Sequence, residues 1–231
     1  MMGALEAMMK VECGKAWVFD MPGGARIDWV WLDAVGYWAA RHKVTNRQYR
    51  IFDPDHQSGV LDGYALDGDD QPVVRVSWDH ARQFVGWLDG QVAGLRPAGF
   101  RIRLPREPEW ESYAKCEVVK EPLWGERCPG FGSYDVIERM KIGWGPTARV
   151  QDEPANAWGL HGAEGGLWEW VADVFDPTMN CRILRGACWY GAVGGEQQLL
   201  YHRTGSPDTG HVNFGFRMVL APGEDVPGRS V

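Results

Sequence analysis

The amino-acid sequence predicts an α+β fold in which a few helices are combined with short strands and much irregular structure. Thirteen tryptophans and thirty glycines among 231 residues favour large rings packed against tight turns over long regular helices. Capping signals mark helix starts in the first half of the chain, whereas glycine and proline divide it into short pieces from residue 122 onward.

Strand and helix signals alternate at the start of the chain. The aromatic-rich residues 16–20 and 29–40 predict strands. Thr45 and Gln48 have the spacing of a capping box, which predicts a helix that starts at Thr45. Residues 53–72 are rich in aspartate and glycine and predict a long surface loop. The acidic cluster in this loop lacks EF-hand spacing, which favours a solvated loop over a calcium site.

Two further helices are predicted before residue 120. Ser77 is a suitable N-cap for the first, and its inward face is formed by Ala81, Phe84, Val85 and Leu88. The second starts near Pro108 and turns Trp110, Tyr113 and Ala114 inward. In the second half of the chain, core mass is expected from the tryptophans at positions 124, 144, 158, 168, 170 and 189.

Charge and composition narrow the class of protein. A net charge of −7 gives no reason to expect nucleic acid or an anionic membrane as a partner. Residues 1–10 do not resemble a secretory signal and no segment reaches membrane length, so we expect no membrane insertion. A cytoplasmic location is the default, and display on a virion or a cell surface stays open. Five scattered cysteines without a CxxC pair favour reduced, mostly buried thiols.

We expect one domain, because no change in composition marks a boundary. It spans residues 16–221, between an N-terminal tail at residues 1–15 and a C-terminal tail at residues 222–231.

A series of short segments resembles the formylglycine-generating-enzyme (sulfatase-modifying factor) family, and they occur in the family's order. They are residues 44–49 (VTNRQY), 72–78 (PVVRVSW), 103–111 (RLPREPEWE), 156–160 (NAWGL) with 165–170 (GGLWEW), 184–189 (LRGACW) and 215–217 (GFR). The resemblance implies a C-type-lectin-like fold with two main helices, small twisted antiparallel sheets and much irregular structure.

Several motif residues have a physical role that can be stated in advance. Glu169 lies between two tryptophans, and a buried carboxylate is costly unless it is paired, so we expect a partner arginine or backbone N–H groups. Asn156 precedes a Trp-Gly pair and should cap a turn with its side chain. Residues 182–186 should form a central strand that enters a tight turn.

The resemblance also implies where catalysis would require particular residues. Aerobic members of the family hold copper with two cysteines that follow the turn, and the corresponding residues 190–198 contain no cysteine. Cys188 lies inside the turn and Cys181 precedes the strand, so neither matches. We therefore expect no formylglycine-type oxidation and classify the chain as a non-enzyme.

Metal sites of other kinds are also poorly supported. The branch of sulfoxide synthases implies an iron site with a histidine pair, but the six histidines here show no such helical pairing. They are His42, His56, His80, His161, His202 and His211. We interpret His80 as a surface or capping residue. For calcium, a side-chain ligand position of the family corresponds to Gly162, while Glu169 is kept, so calcium stays possible but is not expected.

The end of the chain is similar in layout to the variable proteins of diversity-generating retroelements, another branch of the family. In those proteins a hypervariable surface is encoded near the C-terminus and ends close to a Gly-Phe-Arg motif. Adenine mutagenesis of asparagine codons cannot produce Glu, Gln, Lys, Met or Trp, and none of these five types occurs in residues 199–214. The resemblance thus implies a non-catalytic, ligand-binding protein with a variable segment at residues 190–214.

Aromatic and small polar side chains in this segment resemble the composition of an antibody paratope. The expected ligand-binding residues are Tyr190, Gly191, Val193, Tyr201, His202, Thr204, Ser206, Asp208, Thr209, His211, Val212, Asn213 and Phe214. Scaffold roles are expected for Arg203, Pro207, Leu199, Leu200 and Phe216.

The nature of the partner and two other functions stay open at this point. The partner could be a protein, a peptide or a glycan. An ordinary solvated loop on an inert relative with a fixed partner would have similar residue types. An oxidoreductase of the formylglycine-generating or ergothioneine-synthase type is the remaining alternative.

Overall fold

The structure is a computed structural model that describes residues 11–120, 148–163, 165–176, 178, 180–186 and 202–223. Fourteen α-helices and β-strands are defined within these residues. In chain order they are β1 (Trp17–Asp20), β2 (Arg26–Leu32), β3 (Tyr37–Ala40), α1 (Asn46–Arg50), β4 (Val60–Leu61), β5 (Tyr64–Ala65), α2 (Trp78–Gln91), β6 (Phe100–Arg103), α3 (Glu107–Lys115), β7 (Trp168–Asp176), β8 (Cys181–Gly186), β9 (His202–Gly205), β10 (Phe214–Gly215) and β11 (Val219–Pro222).

Two small sheets carry the fold. Strands β1-β2-β3-β11-β6 form an antiparallel sheet, and β10-β7-β8-β9 form a second sheet in which β8 is an inner strand. The predicted fold class is confirmed, with α2 and α3 as the two main helices. One strand pair differs from the expected antiparallel pattern, because β10 runs parallel to β7.

The helix starts follow the predicted capping signals. The Thr45 hydroxyl accepts the N–H of Gln48 at 3.2 Å, and the Gln48 side chain accepts the N–H of Thr45 at 2.9 Å. The Ser77 hydroxyl accepts the N–H of His80 at 3.2 Å, and the His80 side chain is exposed. Pro108 lies in the first turn of α3, where a backbone N–H would have no acceptor within the helix, so its absence in proline costs no hydrogen bond.

Three sequence expectations need correction. Residues 29–40 form a hairpin rather than one strand, because the chain turns at Gly36, whose φ is 72°. Residues 53–72 contain the short hairpin β4–β5 in addition to loop. The described cysteines at positions 13, 116 and 181 are exposed or half-buried instead of buried, while Cys128 and Cys188 lie outside the described residues.

Two residues of the predicted N-terminal tail contact the rest of the fold. Val11 is buried and its N–H donates to the carbonyl of Leu95 at 3.0 Å. The carbonyl of Lys15 accepts the indole N–H of Trp38 at 2.7 Å. Packing therefore extends at least to Val11. No helix among the described residues is long and apolar enough to cross a membrane.

The second sheet separates two groups of core residues. One face of β7 and β8 carries Trp170 and Leu184, which pack towards α2. The other face carries Val171 and Ile183, which pack against Trp110 of α3. The predicted core tryptophans at positions 124, 144 and 189 lie outside the described residues, whereas Trp158 and Trp168 are half-buried. Strand β9 lies at one edge of this sheet, beside the predicted binding segment.

Candidate functional site

The described part of the predicted binding segment is strand β9 and the loop that follows it, residues 206–213. Of the predicted ligand-binding residues, Tyr190, Gly191, Val193 and Tyr201 lie outside the described residues, as do the expected scaffold residues Leu199 and Leu200. For His202 the structure places the backbone in β9, opposite Arg185 of β8.

Backbone hydrogen bonds hold this loop at three points along its length. In each, a main-chain N–H from another part of the fold donates to a loop carbonyl at 2.9 Å: Arg75 to His211, Asp79 to Pro207, and Trp168 to Asn213. Two turns inside the loop add the bonds Thr209 N–H to the Ser206 carbonyl at 3.2 Å and Phe214 N–H to the His211 carbonyl at 3.0 Å. The loop is thus fixed by main-chain atoms.

The loop backbone also lies very close to its support. A Cβ added at Gly205 would lie 2.6 Å from the Trp170 ring, and one at Gly210 would lie 2.2 Å from the Arg75 carbonyl oxygen. Pro207 is buried, as expected of a scaffold residue. Gly205 and Gly210 therefore admit no larger side chain without movement of the chain.

Five predicted residues present exposed side chains from this support. They are Thr204, Ser206, Asp208, Thr209 and His211, which we call the loop surface. The Asp208 carboxylate accepts hydrogen bonds from the Ser206 hydroxyl at 2.5 Å and the Thr209 hydroxyl at 3.2 Å. These two hydrogen bonds lower the pKa of Asp208 below its usual range, so Asp208 is a carboxylate at neutral pH.

Two predicted ligand-binding residues are inside the protein instead. Asn213 and Phe214 are 2% and 4% exposed, and Phe214 packs edge-on against Trp170 with ring centroids 5.3 Å apart. The side-chain oxygen of Asn213, Oδ1, accepts a hydrogen bond from His211 Nδ1 at 2.6 Å. Both side chains are therefore packed beneath the loop, and Val212 is half-buried. Phe216 is fully buried as expected.

The predicted pairing of Glu169 is confirmed. Its Oε2 accepts the Trp110 indole N–H at 3.3 Å and the Tyr113 hydroxyl at 3.2 Å, and lies 3.5 Å from Arg217 Nε. Burial and this carboxylate raise the pKa of Tyr113, so the phenol stays a donor. Asn156 also acts as predicted, because its Oδ1 accepts the N–H groups of Trp158 and Leu160 at 3.0 and 3.1 Å.

Sequence reasoning missed a buried ionic group at the end of β8. Arg185 pairs with Glu107 at 3.1 Å and with Glu111, and Lys115 lies 3.4 Å from Glu111. Burial raises the pKa of Glu107 to about 7, against the opposing effect of Arg185. The signal available in the sequence was the charge of the segments 103–111 and 184–189. Four cations and four carboxylates are buried among the described residues: Lys43, Lys115, Arg185, Arg217, Glu107, Glu111, Glu153 and Glu169.

The loop at residues 150–162 tests the calcium site that the family resemblance implies. The Lys43 ammonium is buried and lies 2.9 Å from Glu153 Oε2 and 2.7 Å from the Gly162 carbonyl oxygen. A Cβ at Gly162 would lie 2.0 Å from Glu153 Oε2, so no side-chain ligand fits there. Because an ammonium group holds these oxygens, a divalent cation does not fit this loop.

Two histidines lie side by side near this loop. The His42 and His161 rings lie 4.7 Å apart, and His161 Nδ1 lies 2.6 Å from the Glu153 carbonyl oxygen. Burial and the neighbouring Arg217 charge lower the pKa of His42 to about 3. Within the described ranges, no three His, Cys, Asp or Glu side chains converge as a possible metal site.

Comparison with protein families gives one match that covers most of the chain. The family model described as "Sulfatase-modifying factor enzyme 1-like domain" matches residues 29–222. Among individual relatives, the inactive C-alpha-formylglycine-generating enzyme 2 of Mus musculus is 28% identical over 165 residues, which cover 66% of this chain and 50% of that protein. The formylglycine-generating enzyme of Thermomonospora curvata is 33% identical over 187 residues, covering 68% and 57%.

Solved structures with this fold include proteins of quite different names. PvdO from Pseudomonas aeruginosa superposes with a TM-score of 0.62 at 17% identity, over 91% of this chain and 99% of that one. Treponema denticola variable protein 1 superposes with a TM-score of 0.60 at 18% identity, over 90% and 99%. At this identity the likeness shows the fold alone. The chain spans about half the length of these sequence relatives, some of which are named formylglycine-generating enzymes and others inactive ones.

Proposed function

The chain belongs to the sulfatase-modifying factor enzyme 1-like domain family, and we propose that it is a non-catalytic member that binds a ligand through its C-terminal segment. This proposal rests on a division within residues 204–214 between the groups that hold the loop and the side chains that face solvent. Main-chain atoms and buried residues hold the loop, while the loop surface points to solvent.

This arrangement suits recognition because the loop is already ordered before a ligand arrives. Binding then costs little conformational entropy at the backbone. The loop surface offers three hydroxyls, an imidazole and a carboxylate, which are adaptable hydrogen-bonding groups. The ligand class in this proposal is a protein, a peptide or a glycan.

The same division supports a diversified surface of the retroelement type. Replacing a residue of the loop surface leaves the anchoring carbonyl groups in place, so many sequences are compatible with one fold. Residues 199–214 also lack the five residue types that asparagine-codon mutagenesis cannot produce. A relative in fold is itself named a variable protein. The absence of cysteine from residues 190–198 and the existence of an inactive relative support the lack of catalysis.

A matched pair of libraries tests the proposal. One library randomises the five residues of the loop surface, and the other randomises Gly205, Pro207, Gly210, Asn213 and Phe214. Display with a conformation-dependent readout should show that most members of the first library fold and most of the second do not. Selection of the first library against unrelated proteins should yield binders. Failure of the first library to fold, or folding without any binder, contradicts the proposal.

Natural variation gives an independent test of diversification. Sequencing the gene across many copies of its source population should reveal substitutions concentrated at Thr204, His211 and the other positions of the loop surface, with residues 215–217 constant. Uniform low variation would instead indicate a fixed partner. Copper or iron retained after purification, together with oxygen-dependent turnover, would indicate an oxidoreductase.

A further inference from the structure

Three arginines near the loop at residues 206–213 lack a carboxylate partner. Arg82, Arg182 and Arg203 have no Asp or Glu oxygen within 4 Å among the described residues. Arginines elsewhere in the fold are commonly paired, as Arg50 is with Asp67 at 2.8 Å and Arg96 with Asp89 at 2.7 Å. Arg41 and Arg75 also lack a carboxylate, but their guanidinium groups donate to the carbonyls of Gly159 and Ser58. Arg82, Arg182 and Arg203 form no such bond within the described residues. We call Arg82, Arg182 and Arg203 the arginine patch; Arg203, for which the sequence predicts a scaffold role, is exposed.

Each guanidinium group of the arginine patch lies over an aromatic ring. Arg182 lies 4.0 Å and Arg82 5.5 Å from the centroid of Trp78, and Arg203 lies 5.1 Å from the centroid of Phe214. A ring beneath a guanidinium stabilises the cation and orients its plane, while the N–H groups at its edge stay available. The Nε of Arg182 is buried without a hydrogen-bond partner among the described residues.

The strand register places two of these cations side by side. Arg182 pairs with Gly205 across β8 and β9, and Arg203 precedes Gly205 by two residues, so both arginines lie on one face as diagonal neighbours. Arg82 reaches the same region from α2, whose first turn hydrogen-bonds to the loop through Asp79. Two cations on one face, with no carboxylate paired to them in the described part of the chain, favour the binding of an anionic group there.

The nearby carboxylates do not neutralise the arginine patch. Asp79 and Asp208 lie on the helix turn and the loop that border it, and neither forms an ion pair with these arginines within the described part of the chain. Asp208 is bound by Ser206 and Thr209. Arg82 and Arg203 are exposed and Arg182 is half-buried. In a protein of net charge −7, a positive patch of this kind draws an anionic group to this place in particular.

We propose that the arginine patch binds the carboxylate side chains of an acidic polypeptide segment on the target. This inference rests on the proposed binding function and specifies its ligand. Guanidinium groups match carboxylates through paired hydrogen bonds. Val174, the neighbour of Arg182 across the strands and 43% exposed, adds an apolar contact that suits a peptide side chain.

The experiment is selection of a random twelve-residue peptide library, displayed on phage, against the immobilised full chain. Selected peptides should be enriched in Asp and Glu, and their affinity should fall with added salt. The variants R82Q, R182Q and R203Q should each bind an enriched synthetic peptide about 5- to 10-fold more weakly, as expected for loss of a charge-assisted contact. Arg182→Lys should retain part of the affinity because the charge remains.

Arg101→Gln is the matched control. Arg101 is an exposed arginine of β6 that lies beside Asp89, near the C-terminal end of α2 and away from the arginine patch. It should leave peptide affinity unchanged. Circular dichroism and thermal unfolding confirm that each variant is folded before binding is measured. The inference is overturned if selected peptides lack acidic residues, if none are selected, or if the three variants bind as the parent does. In those cases binders from the randomised loop library would show that the proposed function stands without this specificity.

Discussion

The Lys43 ammonium and the Glu153 carboxylate form an ion pair of 2.9 Å in the interior, between residues that are 110 positions apart in the chain. This pair connects the residues after β3 to the loop at residues 150–162. The loop contains the turn capped by Asn156. The His161 carbonyl of this loop accepts a hydrogen bond from Arg217 Nη2 at 2.6 Å, and the adjacent Gly162 carbonyl accepts one from Lys43 Nζ. Two buried cations therefore hold adjacent carbonyl groups of one loop.

Removal of one member of this pair should destabilise the protein severely. Lys43→Met removes the ammonium that pairs with the buried Glu153 carboxylate, and Glu153→Gln removes the negative charge beside the buried ammonium, so each should cost about 3–5 kcal/mol. The double variant should cost less than the sum of the two. Urea unfolding of all four proteins measures this coupling. Additive effects would show that the two groups do not interact.

Calcium should have no effect on stability through this loop, because Lys43 already supplies the positive charge there. Thermal unfolding of the parent protein should give the same Tm in calcium chloride and in a chelator. Calorimetric titration should likewise detect no calcium binding at this loop, so Glu153→Gln should leave the titration unchanged. A rise in Tm with calcium that this variant removes would contradict the assignment.

Gly162 should tolerate alanine far less well than another glycine of similar backbone conformation. Gly162 has φ 59°, and an added Cβ would lie 2.0 Å from Glu153 Oε2 and 2.6 Å from Lys43 Nζ. Gly63 has φ 84° with nothing within 4 Å, so Gly63→Ala should cost only the left-handed strain of about 1–2 kcal/mol. Chemical unfolding of the two variants should show a clearly larger loss for Gly162→Ala. Equal losses would mean that the ion pair yields to the methyl group.

Glu107 should make stability fall as pH rises from about 4.5 to about 7. Its pKa is raised from 4.5 to about 7 in the folded protein, chiefly by burial, so the folded state retains a proton that the unfolded state has released. Folding is therefore weakened progressively through this window. Glu107→Gln should flatten the dependence, and Glu117→Gln, at an exposed position, should not. Urea unfolding between pH 4.5 and pH 7.5 gives the slopes, and identical slopes for Glu107→Gln and the parent contradict the prediction.

Phe214 and Thr204 should respond to truncation in opposite ways. Phe214→Ala removes a buried ring that packs on Trp170 and should cost about 3–5 kcal/mol of unfolding free energy. Thr204→Ala changes an exposed side chain and should stay within about 0.5 kcal/mol. Chemical denaturation measures both. A small effect of Phe214→Ala would reopen its assignment to the ligand surface.

The local features were predictable because they depend on residues close together in sequence. The capping box of Thr45 and Gln48, the cap at Ser77 and the turn at Asn156 each join groups within four positions. The partner of Glu169 was predictable only as a type, since a buried carboxylate requires a donor.

The long-range features could not be obtained in this way. The pairs Lys43–Glu153 and Arg185–Glu107 depend on how the sheets and α3 assemble. The burial of Phe214 has the same origin, because Phe214 lies in β10, which pairs with the distant strand β7, and its ring packs on Trp170. An aromatic residue in a polar segment has no local signal that separates a ligand contact from core packing.

The three bonds that tie the loop to its surroundings all use loop oxygens of the peptide backbone, at Pro207, His211 and Asn213. All twenty amino acids have that oxygen, proline included. The attachment therefore does not depend on which side chains the codons of the loop surface encode. Substitutions at Thr204, Thr209 or His211 can accumulate one at a time, without a compensating change elsewhere. Buried charges such as Lys43 behave in the opposite way, since any change there obliges a second change in a distant codon.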